Sequence, residues 1–161
     1  MQNKQHYICL IFICFATKAI HLELVSNLTT ECFISALRCF VSRRGKPVYV
    51  YSNNGTNFVG ANRELNDLAQ FLIKEQTSSE CINDIDINWH FIPAYCPHFR
   101  DLWEAGIRSI KYHLKRIASN TSLIFEEFYM LITQIEMILN SRPLTTMSIL
   151  MILFFLLLLT F

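Results

Sequence analysis

Glycine and proline are scarce, four of each in 161 residues, and no segment is built from only a few residue types. Flexible linkers and disordered low-complexity tails are therefore excluded. Charge of neither sign prevails: 14 Lys and Arg stand against 13 Asp and Glu, a formal net charge of +1. A basic arm and an acidic tail are both absent, and no charged residue follows Arg142. The six cysteines (Cys9, Cys14, Cys32, Cys39, Cys81, Cys96) contain no Cys-x-x-Cys pair. The apolar run at residues 7–16 leads into Thr17 and Lys18 rather than a small-residue cleavage site. The expectation is reduced, mostly buried thiols in an intracellular protein, nuclear or cytoplasmic.

What is present is apolar: 52% of the residues are hydrophobic, enough for one domain with a core. Residues 7–15 (YICLIFICF) form a continuous apolar run suited to a strand covered on both faces. Residues 18–25 alternate, with Ile20, Leu22 and Leu24 set against His21 and Glu23, which predicts a neighbouring strand. Thr29 can cap a helix whose buried stripe is Phe33, Ala36, Leu37, Phe40 and Val41, ended by Gly45 and Pro47. A short strand at 48–51 follows. A helix over about 60–75 carries Ala61, Leu65, Leu68 and Leu72 on one face. A polar loop spans 76–86, and a strand spans 87–92. Two more helices are predicted over about 102–118 and 125–140, the second with Phe128, Leu131, Ile132, Ile135, Ile138 and Leu139 inward. The alternation points to a mixed α/β sheet with helices on both faces. Such sheets gather ligand chemistry at the carboxyl ends of their strands.

The tail, residues 149–161 (ILMILFFLLLLTF), has Thr160 as its sole polar residue. As a helix it would reach only about 20 Å, short of the roughly 30 Å hydrocarbon core of a bilayer. A marginal membrane anchor, a buried terminal helix and a segment foreign to the domain remain open.

Two segments can carry chemistry. The loop Ser52-Asn53-Asn54-Gly55-Thr56 sits between a strand and a helix, where either a metal or phosphate ligand or an ordinary Asx-Gly turn belongs. In the third helix, Trp103, Ile107, Ile110, Leu114 and Ile117 form a core stripe, and Glu104, Arg108, Lys111 and Lys115 lie one step round. A carboxylate heading a cationic face suits a phosphate backbone approaching a metal ion. Asp101 and Glu104 also fit an N-cap with its capping-box glutamate, and the cations then fit a solvated face. Arg38, Arg43, Arg44 and Lys46 cluster at the end of the first helix, where cations favour the helix dipole.

Taken together, the stretches YICLIFICFATKAIHLELVSNLTTECFISALRCFVSRRGKP, YSNNGTNFVGANREL, WHFIPAYCPHFRDLWEAGIRSIKYHLKR and LITQIEMILNSRPLT resemble the integrase catalytic core of Pao/BEL-type LTR retrotransposons, over residues 6–148. The resemblance implies a ribonuclease-H-like fold and a polynucleotidyl transferase that holds two Mg²⁺ ions on two Asp and one Glu, for DNA integration. Glu104, in Leu-Trp-Glu-Ala, matches the catalytic glutamate. Asn53 stands where the family motif Ser-Asp-Asn-Gly-Thr has its second aspartate. The first aspartate belongs on a strand upstream of Tyr7, where residues 1–6 hold no acid. Arg100-Asp101 replaces a Gly-Gly pair.

The resemblance thus implies a degenerate core without catalysis, with Asn53 and Glu104 at most a weak Mg²⁺ site. Arg108, Lys111 and Lys115 are its expected DNA contacts. Without the family's first, central strand, residues 7–15 are expected to keep an unpaired edge and a protease-labile strand. The alternatives are a homodimerising interaction module built on the 125–140 helix and a membrane-associated protein carried by residues 149–161.

Overall fold

In the computed structural model, residues 7–74, 87–93, 97–118, 123–141 and 153–160 are described, with Leu72, 97–102 and 153–160 as backbone alone. Strand β1 (Ile8–Cys14) carries seven uncharged residues and buries all of them, as a run without polar alternation should. It turns back through a short loop into β2 (Ile20–Val25), pairing from Ile8↔Val25 to Ile13↔Ile20. The loop is closed by Lys18 N–H on the Cys14 carbonyl at 2.8 Å, with Lys18 at φ 59°.

Helix α1 (Thr30–Arg44) starts where its cap predicts: Thr29 Oγ1 accepts from Cys32 N–H at 3.3 Å. It ends at Gly45, whose N–H reaches the Val41 carbonyl at 2.9 Å. Strand β3 (Tyr49–Ser52) leads into α2 (Thr56–Lys74), and β4 (Asn88–Phe91) leads into α3 (Pro97–Ile117). Helix α4 (Phe125–Asn140) and strand β5 (Leu153–Thr160) complete the described elements.

The five strands form one mixed sheet in the order β2-β1-β5-β3-β4. β5 runs antiparallel to β1 and parallel to β3, and β3 is parallel to β4. Helices cover both faces. On one, Leu10, Phe12 and Val50 pack with Phe33 and Phe40 of α1 and Phe58 and Ala61 of α2. Phe12 stacks on Phe40 with ring centroids 4.4 Å apart. On the other, Cys9, Ile11 and Ile13 pack with Ile110 and Leu114 of α3 and Ile132 and Ile135 of α4. Gly106 lies directly over the sheet: a Cβ there would sit 2.9 Å from Ile13 Cδ1, so that the end of the Ile13 side chain would have to shift.

Several expectations are corrected. The apolar C-terminal segment is a strand rather than a helix, and it lies at the centre of the sheet. A run in which nearly every residue is apolar has no periodicity to distinguish the two, and a slot bounded by two strand edges selects the extended form. β1 accordingly has no unpaired edge, since β2 and β5 flank it. No helix among the described residues is long and apolar enough to cross a membrane.

Helix α3 begins at Pro97, so Asp101 and Glu104 lie inside it and do not form an N-cap and capping box. Ile117, Ile138 and Leu68, assigned to core stripes by spacing, are 54%, 41% and 39% exposed. His21 and Glu23, the polar side of the alternation in β2, are buried. The predicted loop at 76–86 lies outside the described residues. Cys9 and Cys14 are buried free thiols, Cys32 is half-buried and Cys39 is exposed, while Cys81 and Cys96 lie outside the described residues.

Candidate functional site

The carboxyl end of β3 is held by a local network. Ser52 is fully buried; its hydroxyl donates to the Asn53 carbonyl and accepts from Trp89 Nε1, each at 2.9 Å, which ties β3 to β4. Asn53 is exposed, and its Oδ1 accepts from Gly55 N–H at 2.9 Å in an Asx turn. Gly55 then opens α2, its carbonyl accepting from Phe58 and Val59 N–H at 3.0 Å. A Cβ on Gly55 would lie 2.9 Å from Asn57 Oδ1 and 3.0 Å from Asn53 Oδ1, so a larger residue there would have to push these two amides aside. Asn57 is buried, and its Nδ2 has no hydrogen-bond partner among the described residues.

Glu104, Arg108, Lys111 and Lys115 lie exposed along α3, as their spacing requires. The neighbouring Arg116 is engaged by Tyr112, donating to its hydroxyl at 2.8 Å. The sheet register relates the two segments. Ile20, Ile13, Phe155, Tyr51 and His90 form one row across the sheet. Gly106, two residues after Glu104, lies over Ile13 in that row, and Asn53 is two residues beyond Tyr51. Tyr51 packs against the α3 and α4 cluster, so α3 and the approach to Asn53 share one face of the sheet.

The donor set does not suit a pair of Mg²⁺ ions. Each Mg²⁺ is held best by anionic oxygens in a near-octahedral set. Here Asn53 supplies a neutral amide whose oxygen already accepts a hydrogen bond, and Glu104 supplies one carboxylate. The strands on either side of β3 are β5 and β4, whose sequences LFFLLLLT and NWHF contain no acid. Among the described residues, no group of three His, Cys, Asp or Glu is placed to hold a metal.

A second polar constellation escaped sequence reasoning. His21, in β2, faces two carboxylates, with Nε2 3.0 Å from Glu23 Oε1 and Nδ1 3.1 Å from Glu136 Oε1. A neutral imidazole has one N–H, so this geometry selects the doubly protonated ring. Burial works against that charge, but the hydrogen bonds to Glu136 and Glu23 outweigh it and raise the His21 pKa. Burial likewise opposes the Glu136 charge, yet His21, Leu22 N–H and Arg44 together lower its pKa.

Arg43 donates to Glu23 at 2.9 Å and to the Tyr129 hydroxyl at 3.0 Å, and Arg44 pairs with Glu136. The end of α1 thus uses two of its cations as partners for carboxylates, beyond a dipole effect. Glu136 and Asn140 also cap the outer edge of β2. Glu136 Oε2 accepts from Leu22 N–H at 2.8 Å, while Asn140 accepts from Ile20 N–H at 2.8 Å and donates to the Ile20 carbonyl at 2.7 Å. The four-residue step from Glu136 to Asn140 on one helix face was the signal in the sequence. Its target on β2 was not visible there.

No family model and no curated protein matches this chain.

Proposed function

We propose that this chain is a ribonuclease-H-like, integrase-core-like scaffold that binds duplex DNA through α3 and does not cut it. The single observation that carries the reading is the pairing of Asn53, at the carboxyl end of β3, with an acid-free β5 beside it. In the resembled family that region holds the aspartates that anchor the ions, so their loss removes turnover and leaves the scaffold. Residues 153–160 supply the central strand of a mixed sheet covered by helices on both faces, which supports the fold. The exposed Arg108, Lys111 and Lys115, spaced along one helix face, supply the phosphate contacts.

Fluorescence anisotropy with duplex DNA tests the binding. Three phosphate contacts give a slope of log K against log salt of about −2.7. Reversal of all three cations to Glu abolishes the affinity while leaving the circular dichroism spectrum unchanged. Salt-independent affinity, or affinity that survives the reversal, defeats the reading. A nicking assay with Mg²⁺ or Mn²⁺ tests the other half: turnover that Glu104→Ala abolishes would restore the enzyme.

The interaction-module reading keeps one specific observation: Met130 and Met137, a heptad apart on α4, are 58% and 66% exposed. A dimer seen by sedimentation and dissolved by Met130→Lys with Met137→Lys would favour it.

A further inference from the structure

β1 and β3 do not pair with each other, and β5 alone joins them, from Ile8↔Thr160 to Cys14↔Phe154 on one side and from Tyr49↔Leu153 to Ser52↔Leu156 on the other. The sheet is therefore two two-stranded halves closed by a segment that arrives last in the sequence. We propose that the slot between β1 and β3 accepts the β5 segment of a second copy of this chain as well as its own, so that two copies join by reciprocal exchange of residues 153–160.

Three observations carry this. First, the ladders on both sides of β5 are main-chain ladders, and the same segment of any copy offers the same donors and acceptors in the same register. Second, the sheet treats its edges unequally. The outer edge of β2 is capped by Glu136 and Asn140 of α4, which blocks pairing there. The edges of β1 (ICLIFIC) and β3 (YVYS) that face β5 carry no charge and no proline. A copy whose slot is open thus presents two apolar edges with nothing to deter pairing, and the segment that fits them is LFFLLLLT. Third, residues 141–152 separate α4 from β5, and at roughly 3.3 Å per residue they reach at most about 40 Å. That is long enough to cross between adjoining sheets. Exchange of an identical element needs no surface designed for it. The inference is independent of DNA binding.

The test uses two full-length chains with different affinity tags, one bearing Leu10→Cys and the other Leu158→Cys, positions that face each other across the β1–β5 ladder. The chains are unfolded together, refolded at high concentration and oxidised. Exchange gives a disulfide-linked mixed dimer on a non-reducing gel, at least about fivefold above the off-register pair Leu10→Cys with Leu153→Cys. Its yield falls on refolding at high dilution.

Folded chains that give no adduct overturn the proposal. Equal adduct from both pairs also overturns it, because that is aggregation through any free thiol. A dimer formed through α4 gives no adduct, so it counts against the exchange as well. Should the Leu10→Cys chain fail to fold, Ile8→Cys with Thr160→Cys, at the other end of the same ladder, is judged by the same outcomes.

Discussion

Replacing Glu136 with Ala removes a side chain that ties His21, Arg44 and the backbone of β2 together. Its carboxylate is 13% exposed and accepts from Leu22 N–H at 2.8 Å, from His21 at 3.1 Å and from Arg44. Leu22 N–H then loses its partner at the edge of the sheet, a loss of about 1–3 kcal/mol. The His21 ring keeps one carboxylate, Glu23, and breaking a buried ion pair by deleting one partner costs about 3–5 kcal/mol. The two losses overlap, since they share one carboxylate, so the expected destabilisation is about 3–4 kcal/mol. For a chain of this length that lowers Tm by roughly 10 °C.

Glu136→Gln keeps an oxygen for Leu22 N–H and should lose about half as much. The pH dependence fixes the cause. The His21 pKa is raised from its ordinary 6.5, so its contribution is complete below that value and is lost as pH rises through the folded value. The Glu136 pKa is lowered from its ordinary 4.5, so its contribution is complete above that value and is lost as pH falls through the folded value. Stability of the unaltered protein therefore peaks between about pH 4.5 and 6.5, and Glu136→Ala flattens the peak. Urea denaturation from pH 4 to 8 measures both. A loss under about 1 kcal/mol, or variant and parent curves that run parallel across pH, refutes the reasoning.

Other expectations are simpler to check. Phe40→Ala opens a void beside Phe12, whose ring lies 4.4 Å away, and should lower stability by about 3–5 kcal/mol by chemical denaturation. Thr29→Ala deletes the α1 cap and should lose about 1 kcal/mol, with Thr29→Ser retaining most of it in thermal melts. Asn53→Asp adds one carboxylate beside an acid-free β5, and the nicking assay should stay at background. Limited proteolysis should leave β1 intact, because both of its edges are paired and all seven residues are buried.

The sequence alone determined whatever depends on neighbours within a turn or two. Thr29 as a cap, the buried Phe33–Phe40 stripe and the unbroken apolar β1 are local facts, set by periodicity and by backbone hydrogen-bonding groups close in the chain. The identities of Asn53 and Glu104, one neutral amide and one carboxylate, are likewise read directly from the sequence. Tertiary structure decided the rest. In the sequence His21 and Glu23 are only the polar side of an alternating strand, but α1 and α4 bring Arg43, Arg44 and Glu136 to them from up to 115 residues away. Residues 153–160, apolar except for Thr160, could satisfy helix or strand equally. They became the central strand because two backbone edges, far apart in sequence, left hydrogen-bonding groups that only an extended segment between them can satisfy.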